Sequence, residues 1–330
     1  MNDTPLAFLT DDPINREIWS RSRDMQREIN QRQGVTCGAQ QAMPKPEDER
    51  LFGPQNPLPW VLDLVGTQFG SSNGVLVVGS SYNGFIRGYS ARTRKMDLQT
   101  YIDCRDDEAA GQQRFVGKYV SSVVEGDEDY YQPILRNLLG SAGVPPKHVC
   151  LTDLCKASFV KRGNGGRDGC RGDTGNDGVV RQSWANWTDY VCWPPDDLPS
   201  ERVSYRWIWQ RVLHCRIILA LGSIAEYGIL KIFLELADRS KVCSQRDSMV
   251  QPNKSLFSGS SWKYGYACRS RRLRDWLELD DWWKLEATEN GEIRRWCLLP
   301  VYHPAAAIGR NFDVAYCRTG RLLTRMICDC

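Results

Sequence analysis

The stretch Val75-Leu76-Val77-Val78-Gly79-Ser80-Ser81-Tyr82-Asn83-Gly84 constrains the fold most, because a short apolar run opened by Gly74 stops abruptly in small and polar residues. Consecutive branched and aliphatic residues closed by glycine at both ends suit a strand covered on both faces, as in a parallel sheet. The loop that follows then opens at the strand's carboxyl end, the edge where open α/β sheets place their ligands. Taken by itself the segment also fits a core strand with an ordinary Gly-Ser turn, so its meaning depends on what recurs downstream.

Similar apolar runs do recur. Trp60 to Val65 leads toward the first strand, Val149-Cys150-Leu151-Thr152-Asp153-Leu154 reads as a buried strand, Arg216 to Gly222 as another, and Trp296 to Tyr302 as the last. Helical spacing fills the intervals. Ile134, Leu135, Leu138 and Leu139 mark one face of a helix over Asp129 to Ala142, which Pro145-Pro146 stops. A second helix is expected over Tyr205 to His214, and a third from the Gly222-Ser223 turn through about Leu236. Strands alternating with helices imply an α/β chain with a mostly parallel sheet and loops gathered at one edge.

Composition narrows the class. With 330 residues, 42% of them hydrophobic and 25% charged, the chain can bury a large core, and its formal charge of +3 means that any nucleic-acid surface is local. No apolar run approaches a membrane span, and Met1-Asn2-Asp3-Thr4 lacks the basic start of a secretion signal, so a cytoplasmic protein without membrane contact is expected. The 13 cysteines include no Cys-x-x-Cys pair, which points to buried thiols rather than a disulfide framework or a zinc finger. The 12 tryptophans cluster around Trp184 to Trp209 and Trp276 to Trp283, where packing is the ordinary fate and stacking on bases the alternative. Residues 1–50 read as an N-terminal helical extension and linker, and Lys161 to Asp177, rich in glycine and arginine, as a loop without a core.

Four signals now stand in one order: Gly79-Ser80-Ser81-Tyr82-Asn83, Thr152-Asp153-Leu154, Leu221-Gly222-Ser223-Ile224-Ala225 and His303-Pro304-Ala305. That order resembles the uracil-DNA glycosylase superfamily, with its water-activating motif after the first strand, a strand ending in Thr-Asn or Leu-Asn, an L-G-x-x-A turn and a His-Pro motif. Asp129 to Lys156 is similar to the superfamily's iron–sulfur branch. The resemblance implies a three-layer α/β/α domain over residues 51–330, with insertions near 90–128, 160–200 and 240–295.

Cleaving an N-glycosidic bond leaves positive charge on the sugar and negative charge on the departing base, so the site needs a donor at the base oxygen and a positioned water. It must also draw the nucleotide out of the stack. The resemblance assigns the donor to His303. Its usual water-holding Asp or Asn is replaced by Ser81, a poor base, so Asn83 is expected to orient the water with Ser81 as support. Asp153 stands where the family has Asn. An ionised Asp only accepts hydrogen bonds and thus suits the N4 amine of a cytosine-like base better than the N3–H and O4 of uracil. The alternative is that Asp153 caps a helix or pairs with an arginine.

Phe115, in Arg114-Phe115-Val116-Gly117, is the first candidate to stack on the base, with Tyr82, Phe85 and Tyr89 nearer the first loop as rivals. Phosphate contacts are expected from Arg87, Arg92, Lys156, Arg162, Arg269, Arg271 and Arg310, helped by Ser223 and the Gly222 turn, while Ala306 occupies the place of the family's wedge loop. Cys155 and Cys170 are spaced for an iron–sulfur cluster, but Cys37 stands alone where the branch has paired cysteines, so no cofactor and no metal are expected.

The expectation is a monomeric DNA glycosylase that leaves an abasic site. The long insertions and Asp153 favour a modified cytosine, as in the phage-defence glycosylases that remove glucosylated hydroxymethylcytosine from viral DNA. Uracil repair is the first alternative, and a catalytically weak DNA-binding or sensing protein the second.

Overall fold

The apolar runs become one sheet. Its strands are β1 (Leu64–Val65), β2 (Val75–Ser81), β3 (Val149–Cys155), β4 (Ile217–Leu221), β5 (Asp238–Ser244), β6 (Trp283–Glu289) and β7 (Glu292–Val301), in the order β1-β3-β2-β4-β7-β6-β5. This computed structural model describes residues 7–21, 24, 62–71, 74–81, 113, 137–156, 203–249, 273–302 and 312–329; several side chains at element ends, among them Ser80, Ser81, Cys155 and Ser223, fall outside that description. The chain is therefore α/β with a mixed seven-stranded sheet.

The central strands β3, β2, β4 and β7 are parallel, and antiparallel neighbours close both flanks. Val75 to Val78 and all of β4 are buried, as both-face coverage requires. Their register brings the ends together: Gly79 lies opposite Asp153, Val78 opposite Ala220, and Leu221 opposite Val301.

The helices are α1 over residues 13–21, α2 (Val203–Leu213), α3 (Ser223–Leu236), α4 (Leu273–Glu278) and α5 (Phe312–Asp329). Both α2 and α3 sit within a residue or two of their expected bounds. Of the helix expected over Asp129 to Ala142, residues 137–142 are described; they are helical, with Leu138 and Leu139 in the core, and end at Gly143. A φ of 72° at Gly143 lies in the left-handed region, which glycine adopts without strain.

Three parts differ from the sequence reading. The stretch expected as an insertion near 240–295 supplies β5, α4, β6 and the first residues of β7, so it widens the sheet. The strand expected to begin at Trp296 begins at Glu292: residues 292–295 are exposed because they run past Ile217, the first residue of β4, which pairs with Cys297. The turn joining β6 to β7 is Asn290-Gly291, with φ of 51° and 83°, the left-handed pair that a two-residue hairpin demands. Finally, α5 was not foreseen at all; Tyr316, Leu322, Leu323 and Met326 form its buried stripe. Gly320 lets α5 approach residues 138–141, since a Cβ there would lie 2.0 Å from Ser141 Oγ.

Residues 7–21, expected as part of an appended extension, pack on this core through Phe8, Ile18 and Trp19. Among the described cysteines, Cys150, Cys215 and Cys243 are buried thiols, as read from sequence, whereas Cys317 and Cys328 are exposed thiols and Cys297 is disulfide-bonded to a cysteine whose side chain is not described. Among the described residues no helix is long and apolar enough to cross a membrane.

Candidate functional site

All four motifs stem from the carboxyl ends of the adjacent parallel strands. The chain leaves β2 at Ser81 toward Asn83, β4 at Leu221 into Gly222, and β7 at Val301 toward His303, while Asp153 lies in the last turn of β3's pleat, two residues before Cys155. Strand order thus brings to one edge the carboxyl ends of β3, β2, β4 and β7, which are far apart in sequence.

Asp153 is the informative side chain of this edge. It is 7% exposed, and among the described residues nothing hydrogen-bonds to its carboxylate. It neither caps a helix nor pairs with an arginine there. Burial pushes its pKa up to about 6, against the attraction of Lys156 and with the repulsion of Asp63 adding to the rise. Gly79 makes the room: a Cβ at that position would lie 1.9 Å from Asp153 Oδ1. The sequence reading valued Gly79 as part of a loop motif, while its structural task is to leave space for the carboxyl group on the next strand.

Behind Asp153 lies a second, fully satisfied carboxylate. Asp63 accepts from Lys156 Nζ, from Thr152 Oγ1 at 2.7 Å and from Arg211 Nε at 2.9 Å. Arg211 also forks onto Asp12 at 2.6 and 3.0 Å, and Asn15 exchanges bonds with the Asp63 backbone at 2.8 and 2.9 Å. Burial alone would raise the Asp63 pKa, yet the charges of Lys156 and Arg211 outweigh it and hold the group below the usual carboxylate range. The network joins α1, β1, β3 and α2.

It also corrects one expectation. Lys156, assigned to a DNA phosphate, is 1% exposed, its charge balanced by Asp63 and its ammonium donating to Thr152 Oγ1 at 2.6 Å. Reaching a phosphate would leave Asp63 short of a cation in the interior, a cost no surface contact offsets.

Gly222 joins β4 to α3 with φ 85°, which glycine alone adopts without strain. Its N–H donates to Val301 O at 2.8 Å, linking the ends of β4 and β7, and no side chain caps the helix among the described residues. The end of β7 is held from outside the sheet as well, since Tyr316 Oη of α5 donates to Tyr302 O at 3.2 Å. This clamp on the strand that leads to His303 came from the unforeseen helix.

His303, Asn83, Tyr82, Phe85, Tyr89, Phe115, Arg87, Arg92, Arg162, Arg269, Arg271, Ala306 and Arg310 lie outside the described residues, as do Cys37 and Cys170; Ser81 and Ser223 are described in backbone alone. Among the described residues no group of His, Cys, Asp and Glu side chains has the arrangement of a metal site. No known protein family, curated protein or solved structure matches the chain.

Proposed function

We propose that this chain is a monofunctional DNA glycosylase of the uracil-DNA glycosylase type, built on a three-layer α/β/α core, and that it hydrolyses the N-glycosidic bond of a modified cytosine, as in glucosylated phage DNA. The observation that carries the reading is Asp153: a buried carboxyl without a hydrogen-bond partner among the described residues, at the edge where the strands lead to Asn83 and His303. Buried polar groups are normally paired within the protein, and one left open at a ligand-binding edge is suited to a ligand.

In this reading the flipped base presents its N4 amine to the Asp153 carboxylate. His303 donates to the base O2 as negative charge develops on the departing ring, and Asn83, with Ser81, orients the attacking water toward the sugar. One of the stacking candidates, Phe115 or an aromatic of the first loop, holds the base plane.

One observation favours uracil as the second reading. With a pKa of about 6, Asp153 is neutral in mildly acidic solution, and a neutral carboxyl offers one donor and one acceptor, the pair that uracil's O4 and N3–H require. The test incubates the full chain with oligonucleotides carrying uracil, hydroxymethylcytosine or glucosylated hydroxymethylcytosine and scores abasic sites after alkali. Excision of a modified cytosine, with Asp153→Asn shifting preference toward uracil, is expected. Excision of uracil alone overturns the modified-cytosine reading, and DNA binding without excision of any substrate leaves a sensor.

A further inference from the structure

The outward face of α5 carries a row that no part of the site reading uses. Arg318, Arg321 and Arg325 follow one another at helical spacings of three and four, all exposed, and the next residue of the row is Asp329. Arg318 and Arg321 make no ion pair or hydrogen bond among the described residues. Arg325 meets Asp280 at 3.2 Å, with the two side chains 54% and 45% exposed, so that contact is weak. Like charges at these spacings repel on a helix, and solvated helix faces usually alternate sign. On this face no acidic side chain is described before Asp329.

The row ends at a cavity. Asp329 helps line a trough of about 840 Å³ on the antiparallel extension of the sheet. Lys241, Lys284 and Arg294 line it too, and so do Arg295, tied to Glu286 at 3.0 Å, and Arg216, which has a partner of its own. Glu292 and Asp329 are the other acids of the described lining, so cations exceed acids there. Ridge and trough together concentrate positive charge in a chain whose formal net charge is +3.

We infer that the α5 ridge and the trough it leads into bind the phosphodiester backbone of a nucleic acid. From Arg318 to Arg325 the helix rises roughly 10 Å, at about 1.5 Å per residue. One strand of a duplex advances about 3.4 Å per phosphate, so the row spans about three of them. Guanidinium groups fit phosphate oxygens through paired N–H donors. An anionic membrane is the poorer match, because Tyr316, Leu322, Leu323 and Met326 all face inward and, among the described side chains, the arginine face has no large apolar one to insert. The choice of DNA rests on the glycosylase reading, while the ridge itself rests on its own charge and geometry.

The test titrates the full chain against a short fluorescein-labelled duplex without any modified base, following polarisation across a range of NaCl concentrations. Arg318→Gln/Arg321→Gln/Arg325→Gln is expected to bind at least about ten-fold more weakly and to flatten the slope of log K against log salt by about 2 to 3, near 0.9 per phosphate contact removed. Arg321→Gln alone should flatten it by about 1. Unchanged urea midpoints confirm that these exposed substitutions leave the fold intact. A slope unaltered by the triple substitution overturns the inference, as does a wild-type chain that does not bind the duplex. So does loss of binding to phosphatidylserine–phosphatidylcholine vesicles with DNA binding retained. Salt-dependent binding that needs the ridge, without excision of any substrate, would reject the glycosylase reading and leave this one standing.

Discussion

Asp63 and Asp153 are buried carboxylates, and the charge of Asp63 adds to the rise in the Asp153 pKa, yet the fold treats the two oppositely. Asp63 faces the N-terminal segment and α2, receives Lys156, Arg211 and Thr152, and is held ionised. Asp153 lies near the carboxyl end of β3, beside Gly79 of β2, and has no hydrogen-bond partner among the described residues. Burial is nearly the same for both, so burial cannot be what separates them. The difference lies in supplied donors: among the described residues Asp63 is completed by three side chains and acts as a tie between elements, and Asp153 receives none.

The largest expected effect comes from Asp63→Ala. Removing it leaves Lys156 and Arg211 buried with less counter-charge, which should lower stability by about 3–5 kcal/mol in urea unfolding. A loss below about 1 kcal/mol would mean that the network is dispensable. The two carboxylates also predict opposite pH behaviour. Asp63, held low, contributes stability that is present above its ordinary value near 3.8 and lost as pH falls through its lowered folded value.

Asp153 comes next. Because its folded pKa of about 6 exceeds the ordinary 3.8, its contribution is favourable below 3.8 and is lost as pH rises through about 6. Asp153→Asn should therefore be more stable than wild type above pH 6, by up to about 3 kcal/mol, with the advantage disappearing in acid. Equal stabilities at all pH values would show that Asp153 carries no strain from burial, and the contrast with Asp63 would vanish.

Gly79→Ala tests the geometry with the smallest effect on stability. The added Cβ displaces the Asp153 carboxyl by rotation, so the expected cost is about 1 kcal/mol, while excision on any competent substrate falls at least as far as in Asp153→Asn. Full activity in Gly79→Ala would separate Asp153's position from its role.

The strands of the parallel core were legible because burial on both faces demands unbroken apolar residues, and Val75 to Val78, Ile217 to Leu221 and Leu298 to Leu299 show this directly. Strands covered on one face were missed. In β6 only Trp283, Leu285 and Ala287 turn inward, and in β5 Arg239, Ser240 and Lys241 all precede the buried Val242. The Asn290-Gly291 pair could have located the hairpin, and the spacing of Tyr316, Leu323 and Met326 could have located α5.

Local sequence thus determined which segments become central strands, which turns need glycine, and that four motif-bearing segments leave those strands, since these follow from short-range patterning and backbone sterics. Whether a given charge points inward was decided by tertiary structure alone. Lys156 and Asp153 are three residues apart on the same strand end, and their fates separate because Asp63 and Arg211, 93 and 148 residues apart from Lys156 and Asp63 in turn, arrive on one side of that strand and not on the other. Electrostatic partners are chosen by proximity in space, and proximity exists only after the chain has folded.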